Sequence, residues 1–179
     1  MYPDNSLMPK EALRLTALGV LAGGPMPYGE LAAEVRDFTS HIMGPSLDVM
    51  GTSLELLRYE GLIEGEGDAG GANDVILRIT EAGLNEFRNL LLSAVRTPFN
   101  DLNKLVVALK MRFLHLLDAD ARRDQADMLV EACESEYARL MDLRRKHADA
   151  GGHLIEWLDY DIGQVEDKLG WFRGLRERL

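Results

Sequence analysis

Apolar positions recur at helical spacing along most of this 179-residue chain. Ala12, Leu13, Thr16, Ala17, Val20 and Leu21 form a first helix from Pro9, a residue favoured at the first helical position, and Gly23-Gly24-Pro25 stops it. A second, shorter helix is predicted from about Tyr28 to Phe38, with Leu31, Ala32 and Val35 facing inward, and a loop at Thr39–Gly44. Pro45-Ser46 opens a third, whose apolar stripe is Leu47, Met50, Leu54 and Leu57 and whose end is Gly61. The period then changes. Leu62–Glu66 partly alternates, residues 67–74 are a turn by composition, and Val75–Thr80 is rich in strand formers. Thr80 is placed to cap a fourth helix from Glu81 to about Arg96, with the Glu81 carboxylate complementing its dipole.

Beyond Pro98 the pattern is wholly helical. Asn100 can cap a helix through about Leu117, and Asp118-Ala119-Asp120 breaks the chain before a helix from Ala121 to Ala150. Gly151-Gly152 ends that one. In the last helix Ile155, Leu158, Ile162, Val165, Leu169 and Phe172 alternate steps of three and four, a heptad seam of the kind that lets two helices interlock. The expected fold is therefore mainly α. Residues 1–96 read as a winged helix-turn-helix with a small β-hairpin wing, and 97–179 as a domain of long antiparallel helices. That second domain is expected to dimerise, because two long apolar stripes left wet would be costly.

Charge changes this picture more than composition does. The chain is 46% hydrophobic and 28% charged, ordinary for a globular protein. Its net charge of -10 is uneven: residues 1–90 hold 6 Lys/Arg against 14 Asp/Glu, and 91–179 hold 14 against 16. An acidic half repels phosphate unless its few basic groups are clustered. No apolar run approaches the ~18 residues of a membrane span. The start, Met1-Tyr2-Pro3-Asp4-Asn5, lacks the marks of a signal peptide. Cys133 is the lone cysteine, so no internal disulfide forms. A cytoplasmic protein is the expectation.

Catalytic chemistry is not expected. His41, His115, His147 and His153 show no paired metal spacing, and no Ser/His/Asp, Cys/His or paired-carboxylate set has a framing motif. Neither a metal nor a cofactor is implied. The third helix offers Ser46, Thr52, Ser53 and Arg58 as donors suited to base edges or phosphates, unless its polar face is merely solvated. Tyr28 could donate its hydroxyl to a phosphate or plug the junction of the first two helices. Trp157 and Trp171 stand two heptads apart on one face, either as core residues or as the lining of an aromatic ligand pocket at a dimer interface. Arg144-Arg145-Lys146 is the densest basic run, which could steer DNA, although a mid-helix run of this kind is usually a solvated face.

Several segments resemble PadR-type transcriptional regulators. Ala17-Leu18-Gly19-Val20-Leu21, then Gly24-Pro25-Met26 with Tyr28, Glu30 and Leu31, is similar to that family's opening. Leu54, Leu57 and Glu60-Gly61-Leu62-Ile63 resemble the end of its third helix, and Leu77-Arg78-Ile79-Thr80-Glu81-Ala82-Gly83 its wing-to-helix signature. Glu156-Trp157-Leu158 and Leu169-Gly170-Trp171-Phe172 resemble the longer members related to the virulence-activator, AphA-like type. The resemblance implies a bacterial homodimer on an inverted-repeat operator, sometimes answering a small aromatic effector. Two departures bear on affinity. Gly51 stands where the family carries a recognition-helix Tyr, and Asp48, Glu64, Glu66, Asp68 and Asp74 make the helix and wing acidic. The expectation is modest DNA affinity, with a winged-helix protein-interaction or small-ligand module as the rival.

Overall fold

The computed structural model describes residues 9–43, 50–66, 75–95, 101–149 and 151–179. The N-terminal elements run α1 (Pro9–Ala22), β1 (Met26–Pro27), α2 (Tyr28–Met43), α3 (Met50–Tyr59), β2 (Ile63–Glu66), β3 (Ile76–Ile79) and α4 (Glu81–Leu92). They are followed by α5 (Asp101–Phe113), a 3-10 turn at Leu114–Leu116, α6 (Ala119–Lys146) and α7 (Leu154–Arg178). This is a mainly helical chain with a small antiparallel sheet behind its first helices, the winged-helix order. No described helix is long and apolar enough to cross a membrane.

The chain packs as two compact units: 1–94 with 100–116, and 95–99 with 117–179. The expected boundary at 96/97 follows the end of the winged-helix segment, whereas packing keeps α5 with that segment. Phe113 of α5 meets Phe87 of α4 edge to face at 5.8 Å. A methyl group on Gly19 of α1 would stand 2.6 Å from the Phe113 ring, so α5 lies directly on α1. Arg112 pairs with Glu34 of α2 at 2.5 Å and sits 4.5 Å over the Phe38 ring. These contacts cover the apolar face of α5.

Two differences from the sequence reading have clear causes. The loop expected at Thr39–Gly44 is helix through Met43. Thr39 is buried and its hydroxyl donates to the Val35 carbonyl at 2.7 Å, so a residue that usually invites a turn is satisfied inside the helix. The sheet has a third strand. β1 pairs antiparallel with β3, Met26 opposite Leu77 and Pro27 opposite Ile76, giving the order β1-β3-β2. Two residues carry no period, and proline is tolerated at a sheet edge, where its missing N–H costs no ladder bond.

The passage from α3 into the sheet is closely built. Gly61 adopts φ 71°. Its N–H donates to the Arg58 carbonyl at 3.0 Å, and the Leu62 N–H to the Leu57 carbonyl at 2.9 Å, the paired bonds of a Schellman ending. Thr80 caps α4 by accepting from the Gly83 N–H at 3.0 Å. Its own N–H donates to the Leu62 carbonyl at 3.1 Å. A Cβ on Gly83 would lie 2.0 Å from that same carbonyl oxygen, so only glycine fits there.

In the second unit α6 and α7 pair antiparallel. Arg144 pairs with Asp159, Arg173 with Glu134 at 2.7 Å and Arg176 with Asp127 at 3.2 Å, partners falling along α6 as they rise along α7. Between them lies a core of Leu140, Leu158, Ile162 and Val165, with Tyr137 and Leu143 packed on it. Asp118 caps α6, accepting from the Ala121 N–H at 2.9 Å.

Candidate nucleic-acid interface

The surface a winged helix would offer to a duplex is built from α3 and the wing strands. The apolar side of α3 is anchored by Leu54 and Leu57, both buried. The other side is turned outward by the helical period, and Glu55, Leu56, Arg58 and Tyr59 are exposed. Tyr59 is 90% exposed. Between this last turn of α3 and β2 lies an open groove of about 560 Å³, lined by Glu55, Arg58, Tyr59, Glu64, Gly65 and Thr80 among others.

The sequence-predicted contacts distribute unevenly over this surface. Arg58 is in the groove, but Glu55 one turn earlier holds it at 3.5 Å. Thr52 and Ser53 are backbone positions of α3, and their side chains, like all of Ser46, lie outside the described residues. Tyr28 opens α2 and is half-buried. Its backbone N–H donates to the Val75 carbonyl at 2.9 Å, which ties the start of α2 to the strand that returns from the wing. Tyr59 was missed by the sequence reading. Its signal was the period itself, since it falls off the Leu54/Leu57 stripe on the outward side.

Fixed charge is the weak side of this interface. Arg14 is held by Glu60 through two bonds, the shorter 2.5 Å, with Glu86 at 3.6 Å. The Glu60 carboxylate raises its pKa against the opposing effect of burial. Arg36 lies on α2 among Glu30, Glu34 and Asp37. The basic run of α6 is paired locally: Arg144 with Asp159, and Arg145 and Lys146 both with Asp142 at 2.7 and 2.6 Å. Those bonds hold the Asp142 carboxyl below its ordinary pKa, Lys146 contributing first and Arg145 next. Among the described residues no three His, Cys, Asp or Glu side chains converge as a metal site requires.

Within the single chain the heptad seam is covered by α6. Leu158, Ile162, Val165, Leu169 and Phe172 are buried within the single chain, Ile155 partly so, and α6 supplies the facing residues. A heptad stripe says that a helix is covered, but not whether the cover belongs to the same chain. Trp157 and Trp171, by contrast, point outward.

The model of one protein family, that of AphA-like transcriptional regulators, matches residues 2–176. No curated protein matches the chain significantly. Solved structures with a similar course include smu.1604c from Streptococcus mutans UA159, 19% identical, covering 94% of this chain and 98% of that one with a TM-score of 0.40. PadR from Bacillus subtilis in complex with operator DNA is 15% identical, covering 93% and 98% with a TM-score of 0.37. The PadR-like regulator BC1756 from Bacillus cereus is 18% identical, covering 93% and 96% with a TM-score of 0.38.

Proposed function

The chain belongs to the AphA-like transcriptional regulators, and from that premise we propose that it binds DNA as a homodimer on an inverted-repeat operator. In this reading 1–96 is the DNA-binding segment, with α3 in the major groove and the wing on the flanking backbone, and 97–179 is the dimerising segment. The observation that carries it is the outward face of α3, where Arg58 and Tyr59 stand beside β2 on a helix whose other side is anchored in the core. Guanidinium and phenol groups suit phosphate and base-edge contacts. Thr52, Ser53, Ser46 and Tyr28 complete the proposed contact set.

A gel shift on the gene's own upstream DNA at low salt tests the reading. A retarded band that Tyr59→Ala and Arg58→Ala weaken is expected. Absence of any shift across a genomic fragment library overturns it. A second reading, a winged-helix protein-interaction module, is favoured by one specific observation: Glu55 and Glu64 flank the groove and Glu55 already occupies Arg58. A small aromatic effector in a pocket lined by Trp157 and Trp171 at the dimer interface remains part of the proposal. It predicts ligand-dependent quenching of tryptophan emission together with altered DNA retention.

A further inference from the structure

The end of α3 is held by a pair of side chains that comes from neither the wing nor the groove. Glu60, the residue after α3, still donates its N–H to the Leu56 carbonyl at 2.9 Å and so keeps the helical course. At about 100° per residue it stands about 60° from buried Leu57, whereas Tyr59 lies about 160° from Leu57 on the open side. On its inward side Glu60 meets Arg14 of α1. The guanidinium gives both arms of its fork to the carboxylate, Nη1 to Oε1 at 3.1 Å and Nη2 to Oε2 at 2.5 Å. Glu86 of α4 stands 3.6 Å from the same guanidinium, and Glu11, one turn earlier on α1, adds attraction. The Arg14 side chain is 19% exposed and that of Glu60 32%. The end of α3 is thereby joined to α1 and α4 at a single point.

Three kinds of contact hold this end, and each constrains something different. Burial of Leu54 and Leu57 is non-directional and keeps α3 on the core. The Thr80 hydroxyl bonds the Gly61 and Leu62 carbonyls beyond the helix and fixes where it stops. A bidentate pair adds a plane, because two parallel bonds resist turning as well as separation. We propose that Arg14 and Glu60 are positioning residues: their fork sets the rotation of the last turn of α3 about its own axis, and with it the direction in which Arg58 and Tyr59 face. Neither touches DNA. The inference rests on the DNA-binding reading above. One backbone carries Arg58, Tyr59 and Glu60, so a turn that takes Glu60 off the fork swings the other two by the same angle. Attraction to phosphate depends little on that angle, whereas hydrogen bonds to base edges weaken steeply out of alignment. The pair therefore governs discrimination among sequences more than overall affinity.

The test uses the full chain and reads a ratio: affinity for the retarded upstream fragment over affinity for a scrambled duplex of equal length at the same salt. Sequence-independent attraction enters both and cancels. Arg14→Lys keeps the charge and loses the fork. The ratio should fall about tenfold, the discrimination carried by one base contact, with the scrambled duplex held within about twofold of native and helical circular dichroism unchanged. Glu60→Gln separates aim from charge. It removes a carboxylate from an acidic segment, so a purely electrostatic role gives tighter binding to both duplexes and an unchanged ratio, whereas loss of the fork gives a lowered ratio. A second measurement reads the aim without DNA. Nitroxides are placed on Tyr59→Cys and Asn85→Cys, the latter exposed on α4, in a Cys133→Ser background diluted with unlabelled chain. Their distance distribution should shift or broaden when Arg14→Lys or Glu60→Gln is added. Unchanged distances, or an unchanged ratio in both variants, would overturn the proposal. A chain that retards no DNA while its distances respond would instead overturn the DNA-binding reading and leave the fixed aim of α3 standing.

Discussion

Lys110 is the side chain whose placement is least natural for its chemistry. It is 0% exposed on α5, and its ammonium donates to the Leu91 carbonyl at 2.5 Å, at the end of α4. Burial pushes its pKa down to about 7 from the ordinary 10.5. The folded value lies below the unfolded one, so between pH 7 and 10.5 the unfolded chain binds more protons and stability rises with pH on this group's account. Below pH 7 the cost of the buried charge is complete. Raising the pH from 7.5 to 9.5 should therefore give a gain on the order of 2 kcal/mol, on the order of 1 M in a urea midpoint. Lys110→Met keeps most of the stem and removes the titration. Urea unfolding of both proteins at pH 7.5 and 9.5, followed by circular dichroism, isolates the effect, because every other group is common to both. The native chain should gain by that amount relative to the variant. Parallel responses to pH would mean that Lys110 keeps an ordinary pKa in the fold, and the reasoning from burial would fail.

Gly83→Ala should destabilise by ~3 kcal/mol or more, since the new methyl meets the backbone oxygen of Leu62 rather than a movable side chain; a melting temperature within a degree of native would contradict that. Thr80→Ala should cost ~1–2 kcal/mol through loss of the α4 cap, measurable by the same melt. Burial pushes the Cys133 thiol up to about 11, so the folded chain should resist iodoacetamide at pH 8 and react only in denaturant, and rapid native labelling counts against it. Glu64→Lys, beside the α3 groove, should tighten binding to any duplex and steepen the salt dependence by up to ~0.9 per added phosphate contact; unchanged retention would argue that this groove does not face DNA.

Much of the winged-helix segment could be read from sequence because its signals are local. Thr80 caps α4 through the Gly83 N–H only three residues on, and Gly61 sets a backbone angle of its own. The helical periods of α1, α3 and α4 are likewise carried by adjacent turns. What escaped depended on partners distant in the chain. Whether Arg14 is available to phosphate depends on Glu60 and Glu86, and whether Arg144 is available depends on Asp159. The Leu158–Phe172 seam was visible as a seam, but its owner was not. Nothing in α5 itself announces that the end of α4 receives Lys110.

The corner where α3, the wing and α4 meet behaves as a gauge with a set opening. The Thr80 hydroxyl lies 2.8 Å from the Gly61 carbonyl and 3.1 Å from that of Leu62, and its oxygen also holds the first turn of α4. The end of α3 and the base of the hairpin are thereby fastened to one side chain before any partner arrives. Such a gauge does not adapt to what it measures. In the proposed complex, a duplex whose groove width departs from that opening would have to bend or narrow to fit, and the work of doing so would depend on its base steps. Selectivity among DNA sequences would then come partly from the stiffness of the DNA, which suits a surface with few positive charges to spend on attraction.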